Sequence, residues 1–161
     1  MPASFRPLLV GFAAALLVTP GCTPDGPKLT PVTGTVSVNG KPAAGALVFL
    51  HRKGKTDATE PTPYATAADD GTFKVLWQPG QEGALPGDYA VTLVWPDMTK
   101  APDGGGGRPD RLRGTYDKAV TATLTATVAA APTALPPFEL KLSAATAALP
   151  VKTVGRDPGD K

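Results

Sequence analysis

The chain has 161 residues, a length that fits one domain better than two. Its hydrophobic fraction of 42% is enough to bury a core, while a formal net charge of +2 is too small to mark a nucleic-acid partner. Its 18 glycines and 19 prolines point to many turns between short elements, and its single cysteine excludes an internal disulfide.

The first predicted element is an export leader. Arg6 and the amino terminus carry positive charge, and Leu8 to Val18 (LLVGFAAALLV) is an uncharged apolar run. A helix of that length reaches about 16 Å, roughly half a bilayer core, so a cleaved signal fits better than a membrane-spanning helix. The run closes on Thr19-Pro20-Gly21-Cys22, where Pro and Gly break the helix just ahead of the cysteine. An apolar run ending on a small residue and then Cys resembles the lipobox of bacterial lipoproteins. Gly21 fits that pattern, and Thr19 and Pro20 stand where Leu-Ala or Leu-Ser is usual. The resemblance implies that residues 1–21 are a lipoprotein signal peptide and that Cys22 carries diacylglycerol. It also implies a place in the cell envelope, on the outer side of a membrane, periplasmic or at the cell surface. Two or three acyl chains bury enough methylenes, at about 0.8 kcal/mol each, to hold a protein there. Thr23 rather than Asp after the cysteine favours, by the same resemblance, an outer membrane. The alternative is a plain secretory signal that leaves a free thiol.

Residues 22–30 form a short, polar, Pro-rich tether. Strand-like runs then follow over 31–143. Val32, Gly34, Val36 and Val38 alternate with Thr33, Thr35 and Ser37, the period of a half-buried strand, and Asn39-Gly40 signals a turn. Gly45 to His51 (GALVFLH) is apolar on both faces and reads as a central strand. Tyr64 to Ala67 leads through Asp69-Asp70-Gly71 into Thr72 to Trp77, where Phe73, Val75 and Trp77 share a face. Pro86-Gly87 opens a run that places Tyr89, Val91, Leu93 and Trp95 on one face. Thr121 to Val128 is rich in Thr, and Phe138, Leu140 and Leu142 alternate with Glu139 and Lys141. Pro96 to Arg113, with Gly104 to Gly107, reads as a mobile loop, and residues 144–161 as a flexible C-terminal tail. About seven short strands without a helical pattern predict an all-β, antiparallel Greek-key β-sandwich, transthyretin-like or Ig-like.

A second resemblance rests on Val32 to Phe49 (VTGTVSVNGKPAAGALVF): a strand, an Asn-Gly turn, a Pro, then Gly-Ala-x-Val-x-Phe. With Ala68 to Phe73 and Leu85 to Val91 in order behind it, this resembles carboxypeptidase regulatory-like, or transthyretin-like, domains. Joined to the leader, it is similar to small envelope lipoproteins of planctomycete-type bacteria. What that implies is a fold and an address, and no activity.

The residues themselves give little chemistry. One His and no second Cys speak against a zinc site, and no Ser stands in a Gly-x-Ser-x-Gly elbow. His51 reads as a strand-end residue, Asp69 and Asp70 as a turn, and the glycine run lacks the Lys-Ser/Thr of a phosphate loop. No cofactor or metal is expected. Arg108, Arg111, Arg113 and Tyr116 are candidate contacts for an anionic glycan or headgroup, their charge muted by Asp103, Asp110 and Asp117. Trp77, Trp95 and Tyr116 suit either a sugar-stacking platform or core packing. The expectation is therefore a non-catalytic, lipid-anchored envelope protein, structural or protein-docking. A glycan-binding module is the alternative, and a hydrolase built around His51 a distant third. Expected partners are the membrane, through the lipid on Cys22, and an envelope protein or glycan, but no nucleic acid.

Overall fold

A computed structural model describes residues 26–55, 59–100, 102, 107–143 and the backbone of 153–154. In chain order its strands are β1 (Val32–Val38), β2 (Lys41–Pro42), β3 (Leu47–Arg52), β4 (Tyr64–Thr66), β5 (Thr72–Lys74), β6 (Leu76–Gln78), β7 (Gln81–Glu82), β8 (Gly87–Val94), β9 (Arg108–Pro109), β10 (Leu124–Val128), β11 (Thr133–Ala134), β12 (Phe138–Leu140) and β13 (Thr153–Val154). They form a β-sandwich. One sheet runs β10-β8-β3-β4-β6-β7, and the other gathers β2, β5, β11 and β12 around β1. All seven expected runs are present, and the additional strands are two-residue pieces at turns and edges.

The alternation read in the sequence decides which side chains go inside. Val32, Val36 and Val38 of β1 meet Tyr89, Val91 and Leu93 of β8 in one buried cluster, joined by Val48, Leu50, Phe73, Val75, Phe138 and Leu140. β3 lies between β8 and β4, the central place its two-sided apolar run predicts. At the Asn39-Gly40 turn both residues have positive φ (50° and 76°), as a tight type I′ hairpin requires.

Gly34 is needed for a different reason. A Cβ there would fall 2.4 Å from Phe73 Cζ, because the Phe73 ring lies across β1 at this point. That path lets Phe73 stack parallel to Phe138 on the far side of the strand, with ring centroids 6.2 Å apart.

Two features of the topology depart from the sequence pattern. The run Thr72 to Trp77 is one strand in pattern but serves both sheets. β5 pairs with β1, β6 pairs with β4, and the hand-over is Val75, whose N–H donates to Val32 O (2.9 Å) while its carbonyl accepts from Gly83 N (2.7 Å). A strand that changes sheets makes a corner of the sandwich. Second, β11 and β12 run parallel to β1, so the pairing is not antiparallel throughout. The chain leaves β10 at the edge of one sheet, crosses the open side of the sandwich, and enters the other sheet beside β1 in the same direction.

Two stretches read as loop and tail contain paired backbone. Arg108–Pro109 pairs with Thr153–Val154, and Pro96 bridges Asp110. The rest of 144–161 lies outside the described residues, as do residues 1–25.

Candidate functional site

The four candidate contact residues lie in the segment 107–116, and one buried acid organises it. Asp110 is 2% exposed. Its Oδ1 accepts from the Trp95 N–H (2.8 Å) and the Leu112 N–H (3.0 Å), and its Oδ2 from the Gly114 N–H (2.8 Å). Three backbone donors that would otherwise be stranded are thus satisfied by one carboxylate. The turn they define swings Leu112 fully into the core and puts Arg113 in the left-handed region (φ 57°). In the sequence alone, Asp110 reads as a charge that mutes its neighbours. The available signal was Asp-x-Leu-x-Gly after a strand, a side-chain-capped turn.

Around that turn the candidates take separate partners. Arg111 lays its guanidinium over Trp95, 3.6 Å from the ring centroid, a cation–π contact. Arg108 Nη1 donates to the Lys100 carbonyl. Tyr116 packs half-buried against the core and its carbonyl accepts from Leu93 N (2.8 Å). Trp77 and Trp95 are buried, and Trp95 Nε1 donates to Ala44 O (2.9 Å). Of the three aromatics, Trp77 and Trp95 are therefore buried, Tyr116 is half-buried against the core, and Arg111 covers Trp95. Cys22, Asp103 and Gly104 to Gly106 lie outside the described residues, and Gly107 is buried.

The remaining polar groups also hold the fold. His51 Nε2 is 2.9 Å from Thr92 Oγ1, and burial, then the Lys55 charge, hold its pKa below the ordinary 6.5. Asp70 Oδ1 accepts from both the backbone N–H (2.9 Å) and the hydroxyl (2.7 Å) of Thr72, and these bonds lower its pKa. It is the turn that the sequence suggested. Asp97 does the same for Thr99. Tyr89, fully buried, donates its hydroxyl to Leu85 O (2.6 Å) four residues upstream, which fastens the Pro86-Gly87 turn in the manner of a tyrosine corner. Burial raises the Tyr89 pKa. Arg52 pairs with Glu60 at 3.2 Å where β3 ends. Among the described residues no three His, Cys, Asp or Glu side chains gather as a metal site would need.

An open concavity lies elsewhere, on the outside of the corner made by β5 and β6. It is an open groove of about 730 Å³. Thr33 and Thr35 of β1 and Thr72 and Lys74 of β5 line it, with Leu135 and Pro137 on the β11–β12 side. These positions follow from the pleat. Val32, Phe73 and Val75 turn inward, so their neighbours turn out. The floor is made of threonine hydroxyls and apolar groups with one ammonium, that of Lys74. Compared with protein-family models, with curated proteins and with solved structures, the chain matches none of them.

Proposed function

We propose that this chain is a lipid-anchored envelope protein, attached through Cys22, whose β-sandwich is a non-catalytic docking module. The anchor rests on the leader and its Thr19-Pro20-Gly21-Cys22 ending. The docking role rests on one observation: the groove over β1 and β5, lined by Thr33, Thr35, Thr72, Lys74, Leu135 and Pro137. It is an open concave surface of about 730 Å³, and its groups are suited to contact rather than to bond-making. The polar side chains that could have carried chemistry support the same reading, since His51, Asp70, Tyr89 and Asp110 each hold a turn or a strand in place.

The test is site-specific photocrosslinking in the envelope of a host carrying the protein. A photoreactive residue at Thr35 or Thr72 is expected to give one discrete adduct with another envelope protein, and the same residue at Lys41, outside the groove, is expected to give none. Equal, diffuse labelling from all three positions would refute docking at the groove.

A further inference from the structure

Among the described residues, the two large sheets guard every edge but that of β10. β2 is two residues long and consists of Lys41 and Pro42; β7 is only Gln81–Glu82; the edge formed by β11 and β12 is interrupted by Pro136 and Pro137. β5 is turned toward β4 through the bond from Ala68 N to Thr72 O (2.8 Å). Short length, Lys and Pro are the usual means of blocking edge-to-edge pairing. β10 has none of them. It is the terminal strand of its sheet, five residues long, and Val120 to Val128 (VTATLTATV) contains no charge, no Pro and no Gly. Val120 beside it is fully exposed.

The register shows what this edge offers. Lys53 N donates to Asp88 O, so the even-numbered residues of β8 turn their backbone groups toward β3. Leu93 N donates to Tyr116 O and Trp95 O accepts from Arg111 N, so the odd-numbered ones turn toward β10. Leu124, Ala126 and Val128, opposite Val91, Tyr89 and Gly87, are therefore the hydrogen-bonded partners. Thr125 and Thr127 point their N–H and C=O groups the other way, off the edge of the sheet.

We propose that β10 is a homodimerisation edge, with two copies pairing β10 antiparallel about a two-fold axis through Ala126. What favours a second copy is the self-complementarity of the strand. In that register Thr125 faces Thr127 of the second copy, both ways round, which closes four backbone hydrogen bonds. Leu124 faces Val128 on the inner face, the Thr pairs meet on the outer face, and no charged residue of either strand opposes another. Joining the two copies would remove the unguarded β10 edge from both.

The test is sedimentation of the full chain in density-matched detergent, with and without Cys22→Ser. A dimer whose fraction rises with concentration is expected in both forms, because the pairing uses the strand and not the anchor. Thr125→Pro removes only the outward N–H, leaves the β8 ladder intact, and is expected to weaken the dimer at least tenfold. A second variant, Thr125→Lys with Thr127→Lys, places like charges opposite one another and is expected to be monomeric. A wild-type chain that stays monomeric at millimolar concentration would overturn the proposal. So would a dimer that survives both variants, or one that vanishes with Cys22→Ser alone.

Discussion

Removing the Asp110 carboxylate is expected to be among the most damaging single changes in the domain. Asp110→Ala leaves the N–H groups of Trp95 and Leu112 buried without acceptors, and that of Gly114 partly so. An unsatisfied buried donor costs about 1–3 kcal/mol, and a bond to a charged acceptor lies toward the upper end. Two buried donors at about 2 kcal/mol each give about 4 kcal/mol, and the half-exposed Gly114 adds little because water can reach it. Relief of the carboxylate's own desolvation returns part of this, for a net loss of about 3 kcal/mol. For a domain of this size that is a fall of roughly 10–15 °C in Tm. Asp110→Asn keeps one oxygen for Trp95 and Leu112 but turns an amide toward the Gly114 N–H, and is expected to cost about 1–2 kcal/mol. Asp97→Ala, an Asp-capped turn on an exposed loop, is expected to leave the unfolding midpoint nearly unchanged. Urea unfolding followed by tryptophan fluorescence measures all three, since Trp95 sits on the Asp110 turn. If Asp110→Ala falls within about 1 kcal/mol of wild type, the carboxylate does not organise the segment.

Gly34→Ala is expected to destabilise by about 1–3 kcal/mol, because its Cβ would meet the Phe73 ring; Phe73→Leu in the same chain should recover part of the loss, and a strictly additive double-mutant cycle would contradict the contact. His51 has a folded-state pKa below 6.5, so its contribution to stability is full above about pH 6.5 and is lost as the pH falls toward the lowered value. His51→Gln should flatten the urea midpoint across that window, and an unchanged slope would count against the partly buried neutral imidazole. Asn39 accepts from Leu142 N (3.1 Å) and donates to Leu142 O (3.3 Å), so Asn39→Ala is expected to cost about 1 kcal/mol and to speed amide exchange near Leu142 more than elsewhere.

Local signals carried most of the fold. Period-two alternation in Val32 to Val38 and Tyr89 to Trp95 told which residues go inside, and Asn39-Gly40 and Asp70-Gly71 marked turns that the structure contains. What escaped is set by long-range partners. The pattern of Thr72 to Trp77 is continuous, and only its pairing with β1 at one end and β4 at the other splits it at Val75. Parallel pairing of β11 and β12 with β1 has no signature in either strand, because it depends on which way the chain crosses the sandwich. The segment 107–116 looked like a loop by its Gly, Pro and charge, yet Leu112 is wholly buried and Asp110 nearly so. An exposed Asp and a buried acceptor of three N–H groups are the same letter in a sequence. The groove was equally hidden, since Thr33, Thr72 and Pro137 are brought together only by the corner at β5 and β6.

The most direct test of the anchored envelope role is the intact mass of the protein extracted with detergent from the membranes of its own host. A lipid anchor predicts the mass of residues 22–161 plus diacylglycerol, with or without an added acyl chain, and loss of that species in Cys22→Ser. An unmodified chain in the soluble fraction would contradict it, and would make the protein a freely diffusing secreted domain.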